Sequence, residues 1–424
     1  MSLPRMMRVR QRFDAPRLED VARATRDELQ RIDVAGRVQP GETVAITVGS
    51  RGISNIAEIT RAIVQWVKEI GGIPFIVPAM GSHGGGTAEG QRGVIEGYGV
   101  TEAYVGCEIR SSMETVVVDQ TPQGFPVHFD RHAWEARHVI VAGRIKPHTR
   151  FVGPIESGLH KMMLIGLGKH EGAKIYHRAI QDHSFSDIIH AVAHVVLERC
   201  RVLCGIAMVE NALDETALIE AVRPERFFER EQALLTQARL WLPQLPFRDC
   251  DLLIVDEIGK DISGTGMDTN VVGRKYNDHE ATAHDDTNCR RIFVRGLTEK
   301  THGNATGLGL AEFTNRRTVD AMDVEITKVN CVTAGHPTGA MIPIWYETDR
   351  EAIAAALSTA GLTPPEQSRV MHITNTLRLE ELLVSEAYRN ELSARDDLEV
   401  VSAPTDMAID ATGNLASVIA GAHR

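Results

Sequence analysis

The sequence predicts an α/β fold of two α/β domains with mainly parallel sheets. Three observations carry this. Short apolar runs alternate with segments of helical periodicity, the rhythm of βαβ units. Glycine-flanked polar loops follow several of the apolar runs. At 424 residues the chain is too long for one ordinary core, which favours two domains.

Taken in order, Thr43–Val48 (TVAITV) reads as a buried strand that empties into Gly49-Ser50-Arg51-Gly52. Asn55–Ile70 sets Ile56, Ile59, Ile63, Val64 and Val67 on one helical side. Ile73–Met80 (IPFIVPAM) is the next strand, followed by Gly81-Ser82-His83-Gly84-Gly85-Gly86, and Thr87 caps a helix over Thr87–Tyr98. His138–Ala142 (HVIVA) is a third strand, and Cys204–Val209 and Asp251–Val255 are further ones. A polar helix over Pro224–Leu242 ends at Leu242-Pro243-Gln244-Leu245-Pro246, where proline stops the helix and stiffens the chain. The expected division is an N-terminal domain 1–245 and a C-terminal domain 246–424. Beyond it come DLLIVDEIGK, RRIFVRGL, the Val319–Val329 segment and two short helices near Glu351–Ala360 and Leu377–Leu383.

Composition narrows the function. The apolar fraction of 43% and charged fraction of 24% are those of a globular protein. A net charge of −11 argues against a nucleic-acid partner. No apolar run approaches the roughly 20 residues of a membrane helix, and MSLPRMMRVRQRFDAPRLED holds no secretory h-region. Cys107, Cys200, Cys204, Cys250, Cys289 and Cys331 are scattered with no CxxC pair, as expected of free thiols in the cytoplasm.

Three strands thus end in polar loops, at Arg51, at His83 and at Lys146–His148. Ligands of open parallel sheets sit beyond the carboxyl ends of the strands, so these loops are expected to converge. Two imidazoles there can share acid and base duty on opposite faces of one substrate, though solvated loop histidines would read the same way. Arg51 can grip a carboxylate through two parallel hydrogen bonds, or simply lie at the surface.

The segment Gly143–His177, GRIKPHTRFVGPIESGLHKMMLIGLGKHEGAKIYH, gathers His148, His160, His170 and His177 around Lys161, Lys169 and Lys174. Lys161 precedes an apolar run, the setting of a desolvated nucleophile or of a snorkelling surface lysine. His170, Lys174 and His177 stack on one face of a helix starting near Glu171, and one could bind a metal. In the second half, Glu257 and Lys260 follow the strand DLLIV, and Ser263–Gly266 could accept a phosphate or carboxylate through its amides. His190 and His194 lack the glutamate of the zinc-protease motif and read as packing or surface. His279 and His284 lie in a polar loop where a metal site is a minor alternative.

Ser50–Gly52 (SRG), Gly81–Gly84 (GSHG), Lys146–His148 (KPH), Gly158–Gly172 (GLHKMMLIGLGKHEG), His177 and Asp256–Lys260 (DEIGK) together resemble the nickel-dependent lactate racemase family of 2-hydroxyacid racemases and epimerases. The resemblance implies a nickel-pincer nucleotide, a pyridinium mononucleotide with two sulfur groups. It would be tethered to Lys161, with His177 as the nickel ligand, and Lys169, Lys174 and the Gly84–Gly86 amides as candidates for the cofactor's phosphate. His83 and His148 would be the acid/base pair. Arg51 and Lys260 would hold the substrate carboxylate, which puts the active site in the interdomain cleft, with Glu257 standing where a neutral amide is expected. The stretch TVGSRGIS lacks the acidic residue and prolines common around that arginine, which points to a substrate other than lactate, a small 2-hydroxy acid or sugar acid. Cofactor-biosynthesis enzymes are implied as partners, and the oligomeric state, a homo-oligomer included, is left open. Two other classes remain: a zinc hydrolase or lyase built on His83, His148 and His177, and a non-catalytic anion-binding module.

Overall fold

The computed structural model describes residues 2–50, 52–180 and 182–418, the side chain of His177 excepted. It comprises two compact units, Ala15–Leu242 and a second that joins Met1–Asp14 to Pro243–Arg424. The chain passes between units at Leu242/Pro243, beside the proline-rich break, while its first residues sit with the C-terminal unit. They do so because β1 (Met6–Gln11) is a strand of the C-terminal sheet.

The N-terminal unit is built on β2 (Thr43–Val48), β3 (Ile73–Pro78), β4 (Glu108–Ile109), the hairpin β5 (Thr115–Gln120) and β6 (Pro126–Asp130), β7 (His138–Arg144), β8 (Val202–Glu210) and β9 (Thr216–Val222). Six of these form one sheet in the order β4-β3-β2-β7-β8-β9. Every neighbour is parallel except β9 against β8. Near-continuous apolar runs suit strands covered on both faces. Ala45, Val139 and Val141 point into one core with Phe75, Tyr176 and Ile188, whereas Val44, Ile46 and Ile140 point into the other with Ile59, Ile63 and Trp66. The helix Ile56–Glu69 buries the expected stripe, and Thr87 accepts the Gly90 amide to cap the helix Ala88–Gly97.

The C-terminal unit adds β10 (Asp249–Cys250), β11 (Leu252–Val255), β12 (Asn288–Cys289), β13 (Ile292–Val294), β14 (Phe313–Asn315), β15 (Ile344–Tyr346), β16 (Val370–Ile373), β17 (Glu381–Ser385) and β18 (Leu398–Val400). Its main sheet runs β15-β14-β13-β11-β16-β17-β1-β18, parallel as far as β16 and antiparallel beyond it. The short helix expected near Leu377–Leu383 is instead a turn, in which Asn375 Oδ1 accepts the Leu377 and Arg378 amides, leading into β17. Leu382 and Val384 alternate inward there, and a short apolar run is helix or strand according to its neighbours. The polar helix runs Phe227–Leu240 after a 3₁₀ turn at Pro224–Arg226. All six cysteines are free, and among the described residues no helix is long and apolar enough to cross a membrane.

Candidate functional site

Because β3, β2 and β7 are parallel neighbours, Pro78, Val48 and Arg144 end on one edge of the sheet. The loops that follow two of these ends touch. Ser50 Oγ lies 2.5 Å from His83 Nδ1, and Tyr98 Oη donates to the Ser50 carbonyl at 2.6 Å. Arg51 itself lies outside the described residues. Its flank is braced to the third strand end by Glu210, which accepts the Ser54 amide at 2.7 Å and pairs with Arg144.

The His83 loop is held from beneath. Gln91 Nε2 donates to the Gly81 carbonyl at 2.8 Å and to the His83 carbonyl at 3.4 Å. Gln91 Oε1 accepts from Lys169 Nζ at 3.2 Å, and that amine also donates to the Pro78 carbonyl. Lys169 Nζ sits 3.1 Å from Asp130 Oδ2, an ion pair rather than an aligned hydrogen bond. Gln91, Asp130 and Lys169 are each 0% exposed. Burial pulls the Lys169 amine below its ordinary pKa, and Asp130 opposes that shift. Lys169, expected among the cofactor contacts, is therefore engaged inside the fold.

His148 is oriented by its own loop. Its Nδ1 accepts from the Arg150 and Phe151 amides, both at 3.1 Å, so the neutral ring assigned from these bonds carries its proton on Nε2. The His148 amide donates to buried Glu156 at 2.8 Å, and Glu156 meets Arg239 at 2.8 Å. The ring stacks on Phe151 at 3.8 Å between centroids. Phe151 also carries Lys161 Nζ at 5.4 Å from its centroid, which brings the candidate base and the candidate tether to one aromatic ring.

Lys161 closes a short helix, Leu159–Lys161, that runs into a π-turn at Met162–Gly166. Glu231 anchors its start, accepting the Leu159 amide, the His160 amide at 3.2 Å, and a contact from His160 Nδ1. Gly158 (φ +91°) is required there, because a Cβ would fall 2.1 Å from Glu231 Oε1. The segment then lies across the three strand ends. A Cβ on Gly143 would meet Met162 at 2.9 Å, one on Gly49 would meet it at 3.5 Å, and one on Gly81 would meet Ile165 at 2.9 Å.

The helix Lys169–Ala179 follows. The side chain of His177 lies outside the described residues. His170 Nδ1 is buried without a hydrogen-bond partner, 4.0 Å from where a Cβ of Gly86 would stand. Lys174 is exposed and pairs with Glu171 at 2.9 Å.

In the C-terminal unit, Glu257 and Lys260 follow β11. Glu257 Oε1 accepts from Asn375 at 2.9 Å, and Lys260 Nζ donates to the Gly264 carbonyl at 2.8 Å. The Ser263–Gly266 loop does not offer the amide cradle expected of it. Its Ser263 amide donates back to the Gly259 carbonyl, and its Thr265 and Gly266 amides donate to Ser263 Oγ and the Ser263 carbonyl. His190 packs on Phe228 and His194 pairs with Glu198 at the surface. Among the described residues, no three histidines, cysteines, aspartates or glutamates gather as a metal site.

Sequence reasoning missed Gln91, Glu231, Glu210 and Phe151. Two of them left a signal. Gln91 falls four residues before Ile95, and Glu231 falls among Phe227, Leu234, Leu235 and Ala238. A polar residue on an apolar helical stripe must find buried partners.

Residues 9–187 match the model of the lactate racemase N-terminal domain. The lactate racemase apoprotein from Thermoanaerobacterium thermosaccharolyticum is similar to the chain with a TM-score of 0.51 and 12% identity, over 87% of this chain and 94% of that one. A Thermotoga maritima protein of known crystal structure gives a TM-score of 0.48 and 11% identity, over 76% and 82%. No curated protein matches the chain. At 12% identity the first likeness is one of fold.

Proposed function

We propose, from the match of residues 9–187 to the lactate racemase N-terminal domain, that this chain is a racemase or epimerase of the lactate racemase family inverting C2 of a 2-hydroxy acid or sugar acid, with a lysine-tethered nickel-pincer nucleotide. One observation carries the reading: the Ser50–His83 pair, the His148–Phe151 stack and Lys161 are all borne by segments at the carboxyl ends of three adjacent parallel strands.

The residues present suit such a group. The orphaned Nδ1 of His170, beside the Gly84–Gly86 turn, calls for a polar partner that the chain itself does not supply. Lys161 would carry the tether, His177 would ligate the nickel, and His170 with that turn and Lys174 would face the phosphate. When bound, the group supplies the acceptor and donor of the C2 hydrogen that no side chain provides.

The chain's own part is proton transfer and positioning. One of His83 and His148 takes the hydroxyl proton as the 2-keto acid forms, and the other returns a proton after the planar acid presents its opposite face. The two backbone bonds into His148 Nδ1 direct exchange to its Nε2. Arg51 and Lys260, with Glu257 beside the latter in sequence, are assigned to the substrate carboxylate. Free thiols suit a cytoplasmic enzyme.

The test is chiral analysis of 2-hydroxy acids and aldonates incubated with protein produced alongside the cofactor-biosynthesis enzymes. Inversion, with nickel and an absorbing adduct in the protein, supports the reading. Zinc in place of nickel, with hydrolysis or elimination of the substrate, would replace it with the metal-dependent hydrolase or lyase.

A further inference from the structure

We propose that Lys169, Gln91 and Asp130 form a buried relay that positions the His83 loop, an inference that rests on the acid/base assignment of His83. Each link is a contact to the next. Asp130 faces the Lys169 amine at 3.1 Å, the amine meets Gln91 Oε1 at 3.2 Å, and Gln91 Nε2 reaches the carbonyls of Gly81 and His83 at 2.8 and 3.4 Å. The same amine holds the Pro78 carbonyl, where β3 gives way to the loop.

The chemistry of the amide makes this directional. An ammonium can only donate, so it fixes which end of Gln91 is the oxygen and turns the nitrogen toward the two loop carbonyls. The His83 backbone is thereby held from below while its ring is met by Ser50 Oγ at 2.5 Å. Lys169 adopts a left-handed backbone (φ +53°), an uncommon conformation for a lysine.

Fold stability alone accounts poorly for the arrangement. Well-packed apolar side chains replace buried ion pairs at little or no loss of stability, so a wholly buried lysine is weak evidence of a stabilising role. A methionine of similar length would fill the space beside Pro78, but it could not set the orientation of the Gln91 amide. The relay also reaches the site only through the loop backbone, which makes its members positioning residues and not catalytic ones.

The experiment follows the His83 ring by NMR in the full-length apoprotein with labelled histidine, its signal assigned by loss in His83→Gln. Lys169→Met removes the ammonium, and Gln91→Leu removes the amide while leaving the Lys169–Asp130 pair in place. The expected result in each variant is a displaced His83 signal with a titration midpoint moved by about half a pH unit or more. The signal of the exposed His194 should stay where it is in the parent. In loaded enzyme, turnover should fall about 10–100-fold with a much smaller change in KM, as for a misplaced catalytic group. Unchanged His83 signals and turnover in folded Lys169→Met and Gln91→Leu proteins would overturn the relay. If Lys169→Met does not fold, Gln91→Leu decides alone. Normal inversion by His83→Ala would overturn the acid/base assignment instead, and the apoprotein spectra would still report whether the relay orders the loop.

Discussion

The carboxyl edges of the two parallel sheets are finished in different ways. In the C-terminal unit the strand ends are closed by charge. Asp256, after β11, meets Arg295 and His372, the latter at 2.7 Å. Arg295 continues to Asp349 at 3.0 Å, and Asp349 is gripped again by Arg317 at 2.7 Å. Burial works against the charged form of Asp256, yet His372, Arg295 and the Val418 amide hold its carboxyl below the usual range. At the matching edge of the N-terminal unit an ion pair, Arg144–Glu210, closes only the β7 end, and the neighbouring loops carry imidazoles between glycines, with one buried ring nitrogen left over at His170. The same position in an α/β fold serves as a plug where acids and bases satisfy one another, and becomes a candidate site where a buried polar atom such as His170 Nδ1 is left over.

The sharpest way to break this contrast is to remove the imidazoles. His83→Ala and His148→Ala should each lower turnover of loaded enzyme by about 10²–10⁴-fold, with cofactor retained and melting nearly unchanged, as read by chiral chromatography and intact mass. Lys161→Ala should remove the covalent adduct from the mass spectrum. In the C-terminal unit, Arg295→Met should behave in the opposite sense. It leaves Asp256 and Asp349 buried without their shared cation and should cost about 3–5 kcal/mol in urea denaturation.

A smaller effect is expected at the boundary between plug and site. Gly158→Ala puts a Cβ against Glu231 in a left-handed backbone, and should cost about 1–3 kcal/mol while also loosening the Lys161 segment. The smallest lies at the amino edge, where Glu42 precedes β2. The Gln39 amide and then His138 hold its carboxyl at a pKa of about 2. A depressed carboxylate stabilises the fold above its unfolded pKa, and the benefit is lost as pH falls from the ordinary carboxylate range toward 2. Glu42→Gln should therefore flatten the stability profile over that acid window only.

Much of the N-terminal sheet was legible because β2, β3 and β7 are apolar runs with glycine at or just beyond their ends. The expected helices over Asn55–Ile70 and Thr87–Tyr98 were equally plain in their stripe and cap. β1 was not, since MMRVRQ takes its meaning from β17 and β18, more than three hundred residues later. The hairpin β5–β6 and the antiparallel β9 were missed for a related reason: they are half-exposed or edge strands whose alternation is weak. For the candidate site, histidine, lysine and glycine in Gly143–His177 announced themselves by composition. What holds them did not, because Glu231 and Gln91 are ordinary helix residues until the backbone amides and carbonyls they serve are brought alongside.

The placement of β1 bears on how the protein is made. Residues 6–11 are translated more than three hundred residues before the strands that flank them, at 381–385 and 398–400. The unit Ala15–Leu242 can mature on the ribosome in the meantime, before the partners of β1 exist. A nascent chain arrested before residue 381 would keep the β1 segment accessible to protease.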